Sequence, residues 1–442
     1  MTEDTATHDI SRRRILQTTG AAGAVGLVGT AGCLSNVTDD GSDGDGSGGG
    51  GTLNVLHGWT GGDGQTAAEA LFSGFEDEHG DVDTDIEPIG GGGNENLATV
   101  VANRLNSNDP PSSFAGWPGR NLEQYDGVLG DIESDVWEEA GLKDAHVDEA
   151  AALCQYNGNY AAVPIGSHRL NCLFYNVSVV EDAGVDPNSL SSVSDLVDAL
   201  EMVASETDAT PMAHAMKAPW TTLQLFAVVL LGQEGYDSYM NFVEGGDAEG
   251  AVSSALETTK TILEGYINDD ASSIGLTESN SKIMDGSAAF IHQGNWAAGA
   301  YKNNDMTYDE DWGFVPFPGT EGMYTFHIDS FIYPTDGSEN ASPEASKTFL
   351  RYVGGEQAQI DFNSRKGSIP TRTDVAKDEF GPYLSETMDQ FANAEELPPT
   401  IAHGLAVSPS QVTSLKDVIT SEFTGPFNVD AATRGMLDVV QQ

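Results

Sequence analysis

Two hydrophobic periods alternate along the chain. Leu53 and Val55 alternate with polar neighbours, which predicts a short strand. Gly61, Gly62, Asp63 and Gly64 break it. Ala68, Leu71, Phe72 and Phe75 then recur at helical spacing, which predicts an amphipathic helix. Val82 to Pro88 reads as a second strand. Leu97, Val100, Val101 and Leu105 mark a second helix, stopped by Asn108-Asp109-Pro110-Pro111. Ser112 to Trp117 reads as a third strand. Strand, helix, strand, helix, strand in so short a span predicts a parallel α/β sheet, whose ligands bind beyond the carboxyl ends of the strands.

A second run follows. Leu173 to Asn176 and Ala288 to His292 read as strands. Ser192 to Asp195 resembles a capping box before a helix carrying Leu196, Val197, Leu200 and Val203. Leu223 to Leu231 predicts a strongly apolar helix, and Ile262, Leu263 and Tyr266 mark another. Thr325 to Tyr333 predicts a late strand, and Ala345 to Val353 a helix after it. The sum is two α/β lobes, with the chain crossing between them more than once.

Charge then changes the picture. The 442 residues hold 69 acidic and 19 basic side chains, a net charge of −50, and the acids are spread along the chain. Counterion release on nucleic acid needs clustered Lys and Arg, so nucleic-acid binding is excluded. Self-repulsion of this size destabilises a compact chain at ordinary ionic strength. In molar salt the Debye length falls to about 3 Å and the repulsion is screened. The composition therefore predicts a protein of an extreme halophile.

The first fifty residues do not read as fold. Ser11-Arg12-Arg13-Arg14-Ile15-Leu16-Gln17 resembles a twin-arginine export motif. The apolar run Ala21 to Ala31 is too short to span a bilayer and fits a signal segment. Thr30-Ala31-Gly32-Cys33 looks like a lipobox, with Cys33 as the lipidated residue. A Gly/Ser/Asp tether runs from 33 to 51. The expected location is the outer face of the cell membrane, lipid-anchored. Cys154 and Cys172 form one disulfide or stay as buried thiols. Asn36, Asn176 and Asn340 head glycosylation sequons.

No nucleophile elbow and no His-Glu-x-x-His motif is present, and Gly90 to Gly93 lacks the Lys of a phosphate loop. That run is a flexible turn or a place where backbone approaches a ligand. No metal and no cofactor is implied. Trp, Asn, Asp, His and Lys recur instead at strand ends. Trp59, Trp117, Trp220 and Trp296, four of the six Trp, stand at such junctions. Flat rings flanked by amides, carboxylates and cations suit a sugar: its C–H faces stack on the rings, and its hydroxyls need donors and acceptors.

Several segments carry a family resemblance. They are Leu56-His57-Gly58-Trp59-Thr60, Asp109-Pro110-Pro111-Ser112, Pro164 to Asn171, Pro219-Trp220, Gly294-Asn295-Trp296, Thr325 to Phe331, Arg365 to Asp374 and Ala402-His403-Gly404. In this order they resemble the extracellular solute-binding component of ABC sugar importers, in its glucose/mannose-type subgroup. The resemblance implies a two-lobe periplasmic-binding-protein fold of class II, maltose-binding-protein-like, with hinge crossovers. The implied lobes are 52–166 with 326–364, and 167–325 with 365–442. It implies no enzymatic activity, a monosaccharide ligand such as glucose, an ABC permease as partner and a monomer.

The resemblance also implies site roles. Trp59 and Trp220 would stack on the ring, and Lys366 and His403 would donate to hydroxyls. Asp329, Asn171, Trp117, His168 and Trp296 would line the cleft. Asn295 stands where such proteins often have Asp, Ala115 where a polar contact is expected, and Asp63 in place of a longer acid. These departures leave the sugar's identity open. Three other readings remain: a lipid-anchored glycoside hydrolase, a binder of an oligosaccharide, lipid or peptide on the same fold, and a purely structural surface protein.

Overall fold

The computed structural model describes residues 52–442, except 63, 92–93 and 336–341. The expected export signal, Cys33, the tether, Asp63, and the sequons at Asn36 and Asn340 lie outside the described residues.

The chain forms strands β1 (Leu53–His57), β2 (Thr84–Pro88), β3 (Ser113–Gly116), a small hairpin of β4 (Gln155–Tyr156) and β5 (Asn159–Tyr160), and β6 (Ala162–Arg169). It continues with β7 (Cys172–Asn176), β8 (Thr210–Ala213), β9 (Ala288–Gln293), β10 (Trp312–Pro316) and β11 (Phe326–Ile332). Two larger sheets result, in the orders β2-β1-β3-β11-β6 and β10-β7-β9-β8. The early β-α-β-α-β run is parallel, as its periodicity predicts: β1 pairs in parallel with β2 and β3. The late strand β11 then inserts antiparallel between β3 and β6, so the first sheet is mixed.

Each sheet has its own core. Phe72, Phe75 and Val101 from the first two helices pack with Val55, Phe114 and Phe331. The apolar helix Pro219–Val243 packs Leu223, Phe226 and Leu230 with Leu173 and Phe290 of the second sheet. The capping box at Ser192 is present, with Asp195 accepting from the Ser192 backbone N–H. A third cluster, including Cys172, Phe174, Trp312 and Tyr383, also contains Ile328 and Ile369 and joins elements of the two sheets. Cys154 and Cys172 are free and buried, and burial pushes both thiols up, Cys172 to about 12. Asn176 is also buried: its side chain caps a helix by accepting from the Val179 N–H and donates to the Ile283 carbonyl.

The chain passes between the sheets at 170–171 and at 317–325, and again after the helix Glu356–Lys366. That helix ends on Gly367 at φ 83°, the left-handed position where a Cβ is costly. A Cβ there would also lie 2.6 Å from the Asn295 carbonyl oxygen and the Gly299 nitrogen. Gly299 in turn lies against the backbone of Arg365 and Lys366. Two helical segments, Ala297–Asn303 after β9 and the end of Glu356–Lys366, therefore touch at a glycine pair, and this contact positions Lys366 at the cavity. Gly367→Ala is expected to lower the unfolding free energy by about 3 kcal/mol, the sum of overpacking and left-handed strain. Urea titration in multimolar KCl checks this; an unchanged midpoint would show that the contact relaxes freely.

Candidate functional site

A cavity of about 590 Å³ lies between the two sheets, within the size range of small-molecule sites. Residues of the first sheet and its loops meet residues of the second across it. Trp59 follows β1, Trp117 follows β3, and His168, His327 and Asp329 stand on β6 and β11. Trp220 opens the helix Pro219–Val243, and Trp296 follows β9. Lys366 ends its helix, and His403 sits in the last loop before the helix Pro409–Val418.

Local chemistry sets each ring. Trp59 is wedged edge-on against Phe331 and Phe362 at 5.6 and 4.9 Å. A Cβ at Gly64 would fall 2.8 Å from the Trp59 Cβ, so the loop needs glycine there. Gly294 likewise leaves room for the Trp296 ring, which donates its N–H to Gln293. Pro219 at the first helical position starts the helix beneath Trp220. Of the six Trp, the four at strand–helix junctions line the cavity, whereas Trp137 and Trp312 are core.

The polar floor is a chain of buried groups. His168 Nδ1 is 2.7 Å from Asn295 Oδ1, and its Nε2 is 3.0 Å from Asp329 Oδ2. The other Asp329 oxygen is 3.7 Å from His327 Nε2. Burial alone would raise the Asp329 carboxyl, but His168, His327 and Lys366 outweigh it and hold the group well below the usual carboxylate range. Burial lowers His327, with Asp329 opposing, and lowers His403 further with the help of His327 and Lys416. Both rings are therefore neutral at pH 7.

The rings form one cluster. His327 and His403 lie 4.6 Å apart, and Trp117 packs edge-on against both. His403 also meets Trp220 and Trp296, each at 5.6 Å. Lys366 Nζ sits 5.8 Å over the Trp296 ring.

The structure thus brings together Trp59, Trp117, His168, Trp220, Trp296, Asp329, Lys366 and His403 of the expected set. It does not bring Asn171 there. Asn171 is fully buried, accepting from Thr325 N–H and Arg169 Nε and donating to Thr320 Oγ1 and the Met323 carbonyl. With its amide used up, Asn171 holds a crossover in place. Asn295 lies behind His168 and orients it. Ala115 is buried in the first core, so no polar contact replaces it.

Sequence reasoning missed His327 as a lining residue. It shares a face of β11 with Asp329, two residues on, and that strand periodicity was the available signal. Lys217, Thr277, Glu278 and Lys416 also line the cavity, from loops and helix ends with no local pattern to mark them.

Residues 58–360 match the family described as bacterial extracellular solute-binding protein. A xylose/arabinose-binding protein of Haloferax volcanii is 48% identical over 391 residues, covering 88% of this chain and 84% of that protein. An uncharacterized ABC transporter extracellular-binding protein of Pyrococcus horikoshii is 30% identical, over 88% of this chain and 87% of that protein. Among solved structures, a chitin oligosaccharide binding protein superposes with a TM-score of 0.77 at 18% identity, covering 89% of this chain and 98% of its own. Maltose-bound MalE3 of T. maritima superposes with a TM-score of 0.71 at 15% identity, covering 88% and 99%.

Fold and cavity together define a two-lobe, maltose-binding-protein-like α/β fold. The chain belongs to the bacterial extracellular solute-binding protein family.

Asp329→Asn removes the charge that pairs with His168, and is expected to cost on the order of 3 kcal/mol at pH 7. The folded carboxyl lies below its unfolded value. Its stabilisation is therefore fully present above about pH 4 and is lost as pH falls through the folded value. Denaturant titrations of both proteins at pH 7 and at pH 3 check this; a difference that does not shrink in acid would rule out the charge as its source.

Proposed function

We propose that this protein is the substrate-binding component of an ABC sugar importer and captures one monosaccharide by closure of its lobes. The carrying observation is the cavity: four Trp rings enclose a floor of Asp329, His168, His327, His403 and Lys366. Rings match the C–H faces of a sugar, and the floor supplies both acceptors and donors for its hydroxyls. Glucose is the ligand that the motifs suggest. The relative described as a xylose/arabinose-binding protein adds the pentoses as direct candidates.

The lobes divide as 52–166 with 326–364 and 167–325 with 365–442, strand β6 completing the first sheet across the 166/167 division. Ligand binding shifts an open–closed equilibrium, and the closed form docks as a monomer on a membrane permease. Export follows the twin-arginine route, and a lipid on Cys33 holds the protein at the outer membrane face. No bond is made or broken and no cofactor is needed. The acid coat suits molar salt, where stacking and hydrogen bonds to a neutral ligand survive screening.

Calorimetry in multimolar KCl with glucose, xylose and arabinose is expected to show one-to-one binding to at least one of them. Trp220→Ala and Lys366→Ala should each weaken it more than tenfold, about 1.4 kcal/mol, with unchanged far-ultraviolet circular dichroism. No heat with any monosaccharide would refute the sugar reading.

A further inference from the structure

The loop carrying Trp59 is held from across the cavity by a residue that does not line it. Asn303 ends the helix Ala297–Asn303, which follows β9 of the second sheet. Its side-chain amide donates to Thr66 Oγ1 at 3.0 Å and to the Gly62 carbonyl at 3.3 Å. Both acceptors belong to the segment after β1 of the first sheet. Thr66 is in the first turn of the helix Gln65–Glu78, and Gly62 is in the turn closed by the Gly64 N–H to Gly61 carbonyl bond.

A second side chain approaches the same turn. Gly62 has φ 56°, and a Cβ built there would sit 3.6 Å from Thr277 Oγ1, at the start of the helix Leu276–Met284. Of the two helices flanking β9, the later one therefore bonds to the turn that leaves β1 and the earlier one approaches it. Trp59, Thr60, Gly61 and Gly64 of that segment all line the cavity. Asn303 and its acceptors are exposed on the outer side.

We propose that Asn303 is a positioning residue: its two hydrogen bonds latch the Trp59 loop to the second lobe and hold the cleft shut around its ligand. The proposal rests on the sugar-binding reading only for the choice of ligand. It concerns how long the closed state lasts, because the latch forms only where the lobes meet. Exposed hydrogen bonds are individually modest, so the effect falls on lifetime more than on folding. Loss of the latch frees the loop and its ring, and dissociation accelerates while association, which starts from the open form, stays the same.

Stopped-flow tryptophan fluorescence with glucose, xylose and arabinose in multimolar KCl tests this on Asn303→Ala, Thr66→Val, Thr66→Ser and the Asn303→Ala/Thr66→Val double variant. The expected result is a three- to tenfold faster dissociation for Asn303→Ala, and a smaller rise for Thr66→Val. The double variant should be no faster than Asn303→Ala alone, and Thr66→Ser, which keeps the hydroxyl, should match the unaltered protein. Association rates and urea midpoints should stay unchanged. Hydrogen exchange supplies a readout that needs no ligand: the Gly64 amide should exchange faster in Asn303→Ala, with the sheet amides unaffected. Failure of every sugar to bind the unaltered protein would sink the sugar reading and leave the exchange result to judge the latch. Unchanged dissociation with binding intact, or Gly64 exchange unchanged by Asn303→Ala, would overturn the latch.

Discussion

The carboxylate of Asp329 is the group on which the cavity depends. It is 5% exposed, in a chain whose other acids face water for the most part. A buried charge survives only if partners replace its hydration. His168 supplies one partner from β6 and His327 another from β11 itself, with Lys366 contributing from its helix end. Asn295, arriving from the second sheet, fixes His168 from its other nitrogen. One charge thereby specifies the relation of two strands, a helix terminus and the far sheet. The β-bulge between Asp329 and Ser330 lies in the same strand, where β11 changes register against β6.

The outline of this fold was legible because its signals are local. The periods of Leu53–Val55 and Ala68–Phe75 give strand and helix, and Ser192 with Asp195 gives a helix start, without any knowledge of what packs where. The Trp residues were half legible. Four stand at strand ends, where α/β folds place ligands, and sequence could separate them from Trp137 and Trp312 on position alone. Asn171 shows where such reasoning stops. Its position beside His168 and Arg169 looks like a site position, but its amide is consumed by a crossover that only the tertiary structure forms. His327 shows the opposite failure: same-face periodicity with Asp329 pointed to it. Lys217 and Lys416 reach the cavity from segments distant in sequence, and nothing local announces that.

Net charge and recognition are separate layers of this molecule. Only nine Lys occur in the chain, yet Lys217, Lys366 and Lys416 all line one cavity. The carboxylates of the surface cannot be the ligand's partners, and the cavity's own acids are few: Asp329 and Glu278 among the described lining residues. Glu278 is further tied to the Gly275 N–H in a capping arrangement. Acid outside and rings with cations inside let one sequence meet two demands, solubility in concentrated salt and contact with a small polar ligand, without either constraining the other.

Closure has an energetic cost that couples it to binding. Among the described residues, His327 Nδ1, His403 Nδ1 and Asn295 Nδ2 are buried with no hydrogen-bond partner in the protein. A buried unsatisfied polar atom costs about 1–3 kcal/mol. His327 and His403 line the cavity, whereas Asn295 lies behind His168; in the proposed closure the cost at the two cavity-lining atoms would fall on an empty closed cleft. Polar ligand groups that reach these atoms would remove part of it. The apolar and stacking contacts of the Trp rings, by contrast, favour closure whatever fills the cleft. In the proposed closure, rings that pull the lobes together and polar atoms that an empty cleft leaves unsatisfied oppose one another, and a hydroxyl-bearing ligand would tip that balance further toward the closed state.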